Sequence, residues 1–251
     1  MLIGGYRIPA MASLVVWAIV WEIVGRADLT LLIPPLSATL VRLAEIAGTE
    51  SFWEAVGITA RTFAAGSAVA ILVGVPVGIL MGRVPLLDRI LLPWVNVFIS
   101  APLSALVPVI MAIFGFGETT IVLTVVLFAI WIVILDARAG TQSISPSLVE
   151  MARVYGASRW QAFSKIYVLS ALPEILTGIR LGLLRAVKGV IIGQLLVSVV
   201  GFGRLFEIYS SNFLMEHMWA MLIVLFGLAF LIDTLLGAIE RRVDYFAGSR
   251  N

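Results

Sequence analysis

The sequence has no cysteine and one histidine, His217, in 251 residues. The first absence excludes a disulfide framework and a thiolate metal site, and it leaves the redox compartment unread. The second excludes a histidine-rich metal centre, and a Ser-His dyad would have to use that one residue. Charge is also scarce. Asp, Glu, Lys and Arg make up 13% of the chain, where soluble domains carry about 25%. A net charge of +2 is too small to suggest a nucleic-acid partner. No G-x-x-x-x-G-K-[ST] loop occurs, so the chain has no P-loop of its own for ATP hydrolysis. Gly201-Phe202-Gly203 is too short to be one. With no metal-ligand cluster, nucleophile–base pair or cofactor loop, the expectation is a non-enzyme without catalytic residues, metal or bound cofactor.

Hydrocarbon is what the chain has instead. Apolar residues make up 61% of it, and the mean hydropathy is +1.08. About 20 apolar residues cross a bilayer as a helix, and six such runs can be drawn, at 9–25, 57–81, 90–114, 119–139, 173–200 and 219–239. The predicted fold is therefore an all-α integral membrane domain with six transmembrane helices over residues 1–251. Arg7 before the first run resembles the start of a signal peptide, but no A-x-A-like cleavage site follows, so the run is taken as a retained span. Span three carries Pro93, Pro102 and Pro108, which can kink it.

Basic residues set the expected orientation. Arg7, the pair Arg83 and Arg89, the group Arg138, Arg153, Arg159 and Lys165, and the C-terminal Arg241, Arg242 and Arg250 all fall on one side. Both termini and the loop 140–172 are expected to be cytoplasmic. The tryptophans, among them Trp17, Trp53, Trp94 and Trp219, mostly fall near predicted span ends. On the outer side, segment 30–56 is expected to hold an amphipathic helix with Leu36, Leu40, Leu43 and Ala47 on one stripe.

The loop 140–172 is the polar exception in this chain. Ser147-Leu-Val-Glu150 has the spacing of a capping box, and Ser158-Arg-Trp-Gln161 repeats it. Gly156 between them suits a left-handed C-cap. Leu148, Met151, Ala152 and Tyr155 fall on one face. Two short helices joined at a glycine are expected, either as a plain amphipathic connector or as a rigid docking knob.

This segment resembles the EAA loop of the membrane-spanning permease subunits of binding-protein-dependent ABC importers, type I. That pattern is Glu-Ala-Ala, three residues, Gly, nine residues, Ile, one residue, Leu-Pro. Glu150, Ala152, Gly156 and Ile166 stand at matching positions. Met151 replaces the first alanine, and Val168-Leu169 replaces Leu-Pro, with Leu172-Pro173 four residues later. Within the family the likeness is to the nitrate, sulfonate, taurine and bicarbonate branch. The resemblance implies a multi-pass protein of the bacterial cytoplasmic (inner) membrane, working with a second permease copy or paralogue, two cytosolic ATPases that hold ATP and Mg, and an extracytoplasmic solute-binding protein. It implies a coupling-helix loop between spans four and five, docked on the ATPase through Glu150, Ala152, Tyr155, Gly156, Ala157 and Ser158.

Span five supplies the expected transport path. On a helical wheel Glu174, Thr177, Arg180, Arg185, Lys188, Gln194 and Ser198 fall within about half the circumference. Charges at bilayer depth face a cavity or a partner. Arg180, Arg185, Lys188 and Gln194 are the candidate path residues, favouring a small anionic solute. The other possibility is a pairing with Asp136, Asp233 or Glu22 that only holds the bundle together. An ATPase-independent secondary transporter is the rival function; it would need a coupling-ion site.

Overall fold

In a computed structural model the chain is described over residues 2–3, 6–7, 10–27, 30–197 and 199–248, with side chains described for 12–27, 30–158, 160–163, 165–197, 199–235 and 237. Nearly all of it is helix. The exception is a two-stranded antiparallel ladder, β1 (Leu2–Ile3) with β2 (Tyr6–Arg7). The helices are α1 (Ala10–Arg26), α2 (Leu36–Ala47), α3 (Glu50–Arg83), α4 (Pro85–Ser100), α5 (Val107–Phe114), α6 (Glu118–Gln142), α7 (Pro146–Val154), α8 (Arg159–Ala162), α9 (Val168–Ser170), α10 (Leu172–Val197), α11 (Gly201–Ser211) and α12 (Met215–Gly248).

Six spans are drawn from the sequence, the third with prolines that can kink it, and the structure divides them as follows. Three helices, α3, α6 and the Met215–Leu235 part of α12, are long and apolar enough to cross a membrane unbroken, or five if each of two bent pairs is one span. α1, at 17 residues, is at the short end of what crosses a bilayer. The predicted span 90–114 is a bent pair: α4 meets the 3-10 turn Leu103–Leu106 and α5 at 98°. The cause is local. Proline forces the preceding residue out of the helical region, and Ala101 before Pro102 sits at ψ 150. Pro93 stays inside α4, and Pro108 lies in the first turn of α5, where its missing N–H costs nothing. α10 and α11 form the second bent pair, at 47°. Ser198, between them, lies outside the described residues.

The bundle is organised around α6. Glycines on α3 meet it at short range: an added Cβ would stand 2.5 Å from Val125 Cβ at Gly66, 3.0 Å from Val133 Cγ1 at Gly74, 2.5 Å from the Ile134 carbonyl at Gly78 and 2.6 Å from Thr141 Cβ at Gly82. The partner numbers rise with the glycine numbers, so α3 and α6 run parallel. Gly178, Gly182 and Gly189 on α10 face Asp136, Val133 and Val125, in falling order, so α10 runs antiparallel to α6. Small residues at these positions let helix backbones approach closely. Residues 84–117 must then return the chain along the full length of α6, about 37 Å for 25 residues. The bent pair α4–α5 is that crossing.

Ion pairs fix both ends of α6. At one end Arg61 of α3 forks onto both carboxylate oxygens of Glu118. At the other, Arg138 forks onto Asp88 of α4. Buried threonines satisfy themselves within their helices. Thr59, Thr62, Thr124 and Thr141 each donate to the carbonyl four residues back, which lets a hydroxyl sit in an apolar interface.

The end of the bundle at α2 and α11 is a separate packed layer. Ile46, Phe52, Ala55, Phe202, Leu205 and Met221 form its core. The expected amphipathic helix is there, but it is α2 alone, ending at Gly48; Trp53 and Glu54 already belong to α3. Its buried stripe is Thr39 and Ile46, with Leu43 and Ala47 packed beside them, and Leu40 is exposed. Glu22 accepts from the Ser37 amide (2.9 Å) and hydroxyl (2.8 Å), tying α1 to the first turn of α2. Arg42 bridges Glu45 and Glu216, and those two carboxylates, Glu216 foremost, raise its pKa. Gly201-Phe-Gly203 is the first turn of α11 rather than a loop.

Candidate functional site

The knob between α6 and α10 begins two residues earlier than the capping-box spacing predicts. Pro146 takes the first helical position, where its fixed φ is pre-set for helix, and Ser145 becomes the N-cap. Ser145 and Ser147 bond each other through their hydroxyls (2.6 Å) rather than capping the amides, and the expected box at 147–150 is not formed. The second box does form: Gln161 N–H donates to Ser158 Oγ (3.2 Å) and Ser158 N–H to Gln161 Oε1 (2.8 Å). Between the two helices Gly156 has φ +73. Its amide donates to the Arg153 carbonyl, and the Ala157 amide to the Ala152 carbonyl. This is a Schellman closure, which needs a left-handed residue at that point. The chain then continues helically through α8, a π-helical turn Phe163–Tyr167 and α9 into α10.

These caps hold an exposed apolar surface. Val154 is 85% exposed, Tyr155 84% and Trp160 72%, with Leu148 and Met151 also open. Glu150, Gly156 and Ser158 are exposed and Ala157 half-buried. Ala152, only 6% exposed, is the member of the predicted docking set that turns inward and anchors the knob. Contiguous apolar surface of this kind on a rigid element marks an interaction site.

The predicted path residues are not brought together. Gln194 is 1% exposed. Its Nε2 donates to Thr59 Oγ1 on α3 (2.8 Å), and its Oε1 accepts from the Phe202 amide of α11 (3.3 Å). Arg185 is half-buried and interacts electrostatically with Asp136 of α6. Arg180 is half-buried. Lys188 is exposed, on the same face as Thr177 and Leu181. Of the other expected partners, Glu22 is held by Arg26 and Ser37, and Asp233 is exposed rather than buried.

Two acids named in the sequence, Asp136 and Glu174, have surroundings that it does not signal. Asp136 Oδ2 and Glu174 Oε2 are buried without a hydrogen-bond partner among the described residues. Both carboxylates pack over glycines of the opposite helix, Asp136 over Gly178 and Glu174 over Gly140. No periodicity signals this, because each acid lies in the α6–α10 seam as a single residue. No group of three residues suited to hold a metal is found among the described residues. His217 stacks at a tilt on Tyr209, 4.9 Å between ring centres, and lines a cavity of about 870 Å³ beside α2 and the start of α12.

The family described as "binding-protein-dependent transport system inner membrane component" matches residues 74–245. The taurine transport system permease protein TauC of Escherichia coli (strain K12) is 30% identical over 246 residues, covering 95% of this chain and 90% of its own. The bicarbonate transport system permease protein CmpB of Synechocystis sp. is 26% identical, covering 84% of this chain and 80% of its own. Among solved structures, an inward-facing form of the MetNI methionine ABC transporter overlays with a TM-score of 0.60 at 23% identity, over 77% of this chain and 94% of that one, which shows a shared fold. The chain is a multi-pass membrane protein that belongs to the permease family of binding-protein-dependent ABC importers, in the branch that includes the taurine, bicarbonate and nitrate permeases.

Proposed function

We propose that this chain pairs with a second permease to form the path for a small anionic solute, and that its knob transmits ATP-driven movement from a cytosolic ATPase. The observation that carries this is the knob itself. α7 and α8 are locked to one another by a Schellman closure and a reciprocal cap, joined by helix to α10, and present Tyr155, Val154 and Trp160 outward. A rigid element with an open apolar face suits a lever that a partner grips. Glu150, Ala152, Tyr155, Gly156, Ala157 and Ser158 are the docking residues in this account, with Ala152 acting from beneath.

The orientation follows the basic residues, with the knob and both termini in the cytoplasm. Two ATPase subunits carry ATP and Mg, and an extracytoplasmic binding protein delivers solute to the outer layer formed by α2, α11 and the start of α12. Lys188, exposed on the same face of α10 as Thr177, is the candidate contact for the anion. The taurine and bicarbonate transporters that this chain resembles by name support the substrate class. ATP binding stabilises one access state over the other, which is what converts hydrolysis into transport.

Reconstitution tests the reading. The permease co-purified with its ATPase and supplied with binding protein is expected to accumulate taurine, sulfonates, nitrate or bicarbonate in vesicles only with ATP inside. Accumulation driven by a proton or sodium gradient without ATP would instead establish the secondary-transporter mechanism.

A further inference from the structure

A cavity of about 660 Å³ lies where the end of α3 meets the knob, lined by Arg83, Val149, Arg153, Ala157, Ala162 and Tyr167. Two of these six residues are arginines and none is acidic. Neither guanidinium makes a hydrogen bond or ion pair among the described residues. Arg83 instead lies over the Tyr167 ring, 3.8 Å from its centre, and 5.9 Å from that of Phe163. That contact uses the face of the guanidinium and leaves its in-plane N–H donors unspent. Arg138 shows the contrast: it belongs to the same end of the bundle and has its own carboxylate, Asp88.

We propose that this cavity binds a phosphate-bearing anion, held by Arg83 and Arg153. Two like charges lining one concavity repel until an anion occupies it, and two planar forks match phosphate oxygens in bidentate fashion. The volume lies within the range of small-molecule sites and admits more than a bare phosphate, so a glycerophosphate headgroup fits. Arg83 closes α3, at the polar edge of the bundle, where anionic headgroups attract basic side chains. The same chemistry could come from such a lipid or from a soluble phosphate compound. Because Arg83 belongs to α3 and Arg153 to α7, the anion would tie the knob to the bundle. The cavity shares Ala157 with the docking set but lies apart from the exposed Tyr155 and Trp160, and its test needs neither an ATPase nor a substrate.

The full chain in phosphatidylcholine nanodiscs is the starting sample. One arm adds phosphatidylglycerol to the bilayer; the other adds inorganic phosphate to the buffer. Thermal stability and bound lipid, by native mass spectrometry, are read for wild type, R83Q, R153Q, R83Q/R153Q and, as a control outside the cavity, K165Q. The double variant is expected to weaken the response about 30-fold, each arginine contributing about fivefold, with K165Q like wild type. A response confined to the phosphatidylglycerol arm assigns the site to a lipid headgroup, and a response to phosphate alone assigns it to a soluble anion. If the double variant does not fold, the single variants carry the test. Equal responses from wild type and the arginine variants in both arms, or no response in either, would overturn the proposal.

Discussion

Gln194 Nε2 donates to Thr59 Oγ1 at 2.8 Å, joining α10 to α3 beside the layer formed by α2 and α11. Thr59 Oγ1 in turn donates to the Ala55 carbonyl, and Gln194 Oε1 accepts from the Phe202 amide. Gly201, at φ +64, and Gly203 leave room for this contact; an added Cβ at Gly201 would stand 3.0 Å from the Gln194 amide. The Gln194 side chain therefore pins α11 to α10 and α3. Gln194→Leu keeps the volume but strands the Phe202 amide, and a buried unpaired donor costs about 1–3 kcal/mol. A lowered melting temperature in detergent is expected. An unchanged melting temperature would show that the amide is dispensable.

Gly78 tests the seam between α3 and α6. Its added Cβ would meet the Ile134 carbonyl, which cannot move aside as a flexible side chain can. Gly78→Leu should destabilise by about 1–3 kcal/mol through overpacking. Gly57, on the same helix, has nothing within 4 Å, so Gly57→Leu should unfold at the wild-type temperature. Equal melting temperatures for the two variants would contradict the parallel α3–α6 packing.

Asp88 and Arg138 are each 17% exposed, whereas Arg42 and Glu45 are far more open. Asp88→Asn leaves a half-buried guanidinium short of its carboxylate and should cost about 2 kcal/mol. Glu45→Gln should leave stability unchanged, as for most surface pairs. Urea-assisted unfolding in mild detergent compares them, and a larger effect at Glu45 would be inconsistent with the latch at α6.

The knob's rigidity rests on Gly156 and on the Ser158–Gln161 cap. Gly156→Val forces a β-branched residue to φ +73, and Ser158→Ala removes a cap contact worth about 1 kcal/mol. Amide hydrogen exchange across α7 and α8 should rise in both variants, more in Gly156→Val, with α3 and α6 unaffected. Exchange unchanged in both would mean that the caps do not hold the knob.

The helical membrane fold and the knob were legible because both are local signals: apolar runs, basic clusters, and cap residues at fixed spacing. The second capping box and the Gly156 turn formed where the sequence places them. The first box did not, because Pro146 competes for the helix start and wins through its fixed φ. Of the three prolines that could kink the third span, Pro102 makes the bend, since it acts on the residue before it as well as on itself. The path residues are a different case. A helical wheel shows which residues share a face, but not which neighbour that face meets; Gln194, Arg185 and Lys188 occupy adjacent sectors that meet α3, α6 and open surface. Asp88–Arg138 and the cavity at Arg83 join residues distant in sequence, and only the packing of α3 and α6 brings them together.

The natural absence of cysteine makes one measurement direct. Tyr155→Cys on the exposed face of the knob and Trp17→Cys on the exposed face of α1 are each treated, in native membranes, with a short bifunctional thiol–amine cross-linker. The account predicts an ATPase-sized adduct from Tyr155→Cys, absent from Trp17→Cys and altered in yield by ATP. Adducts of equal yield from both positions, or none from Tyr155→Cys while the ATPase still co-purifies, would contradict the knob as the docking element.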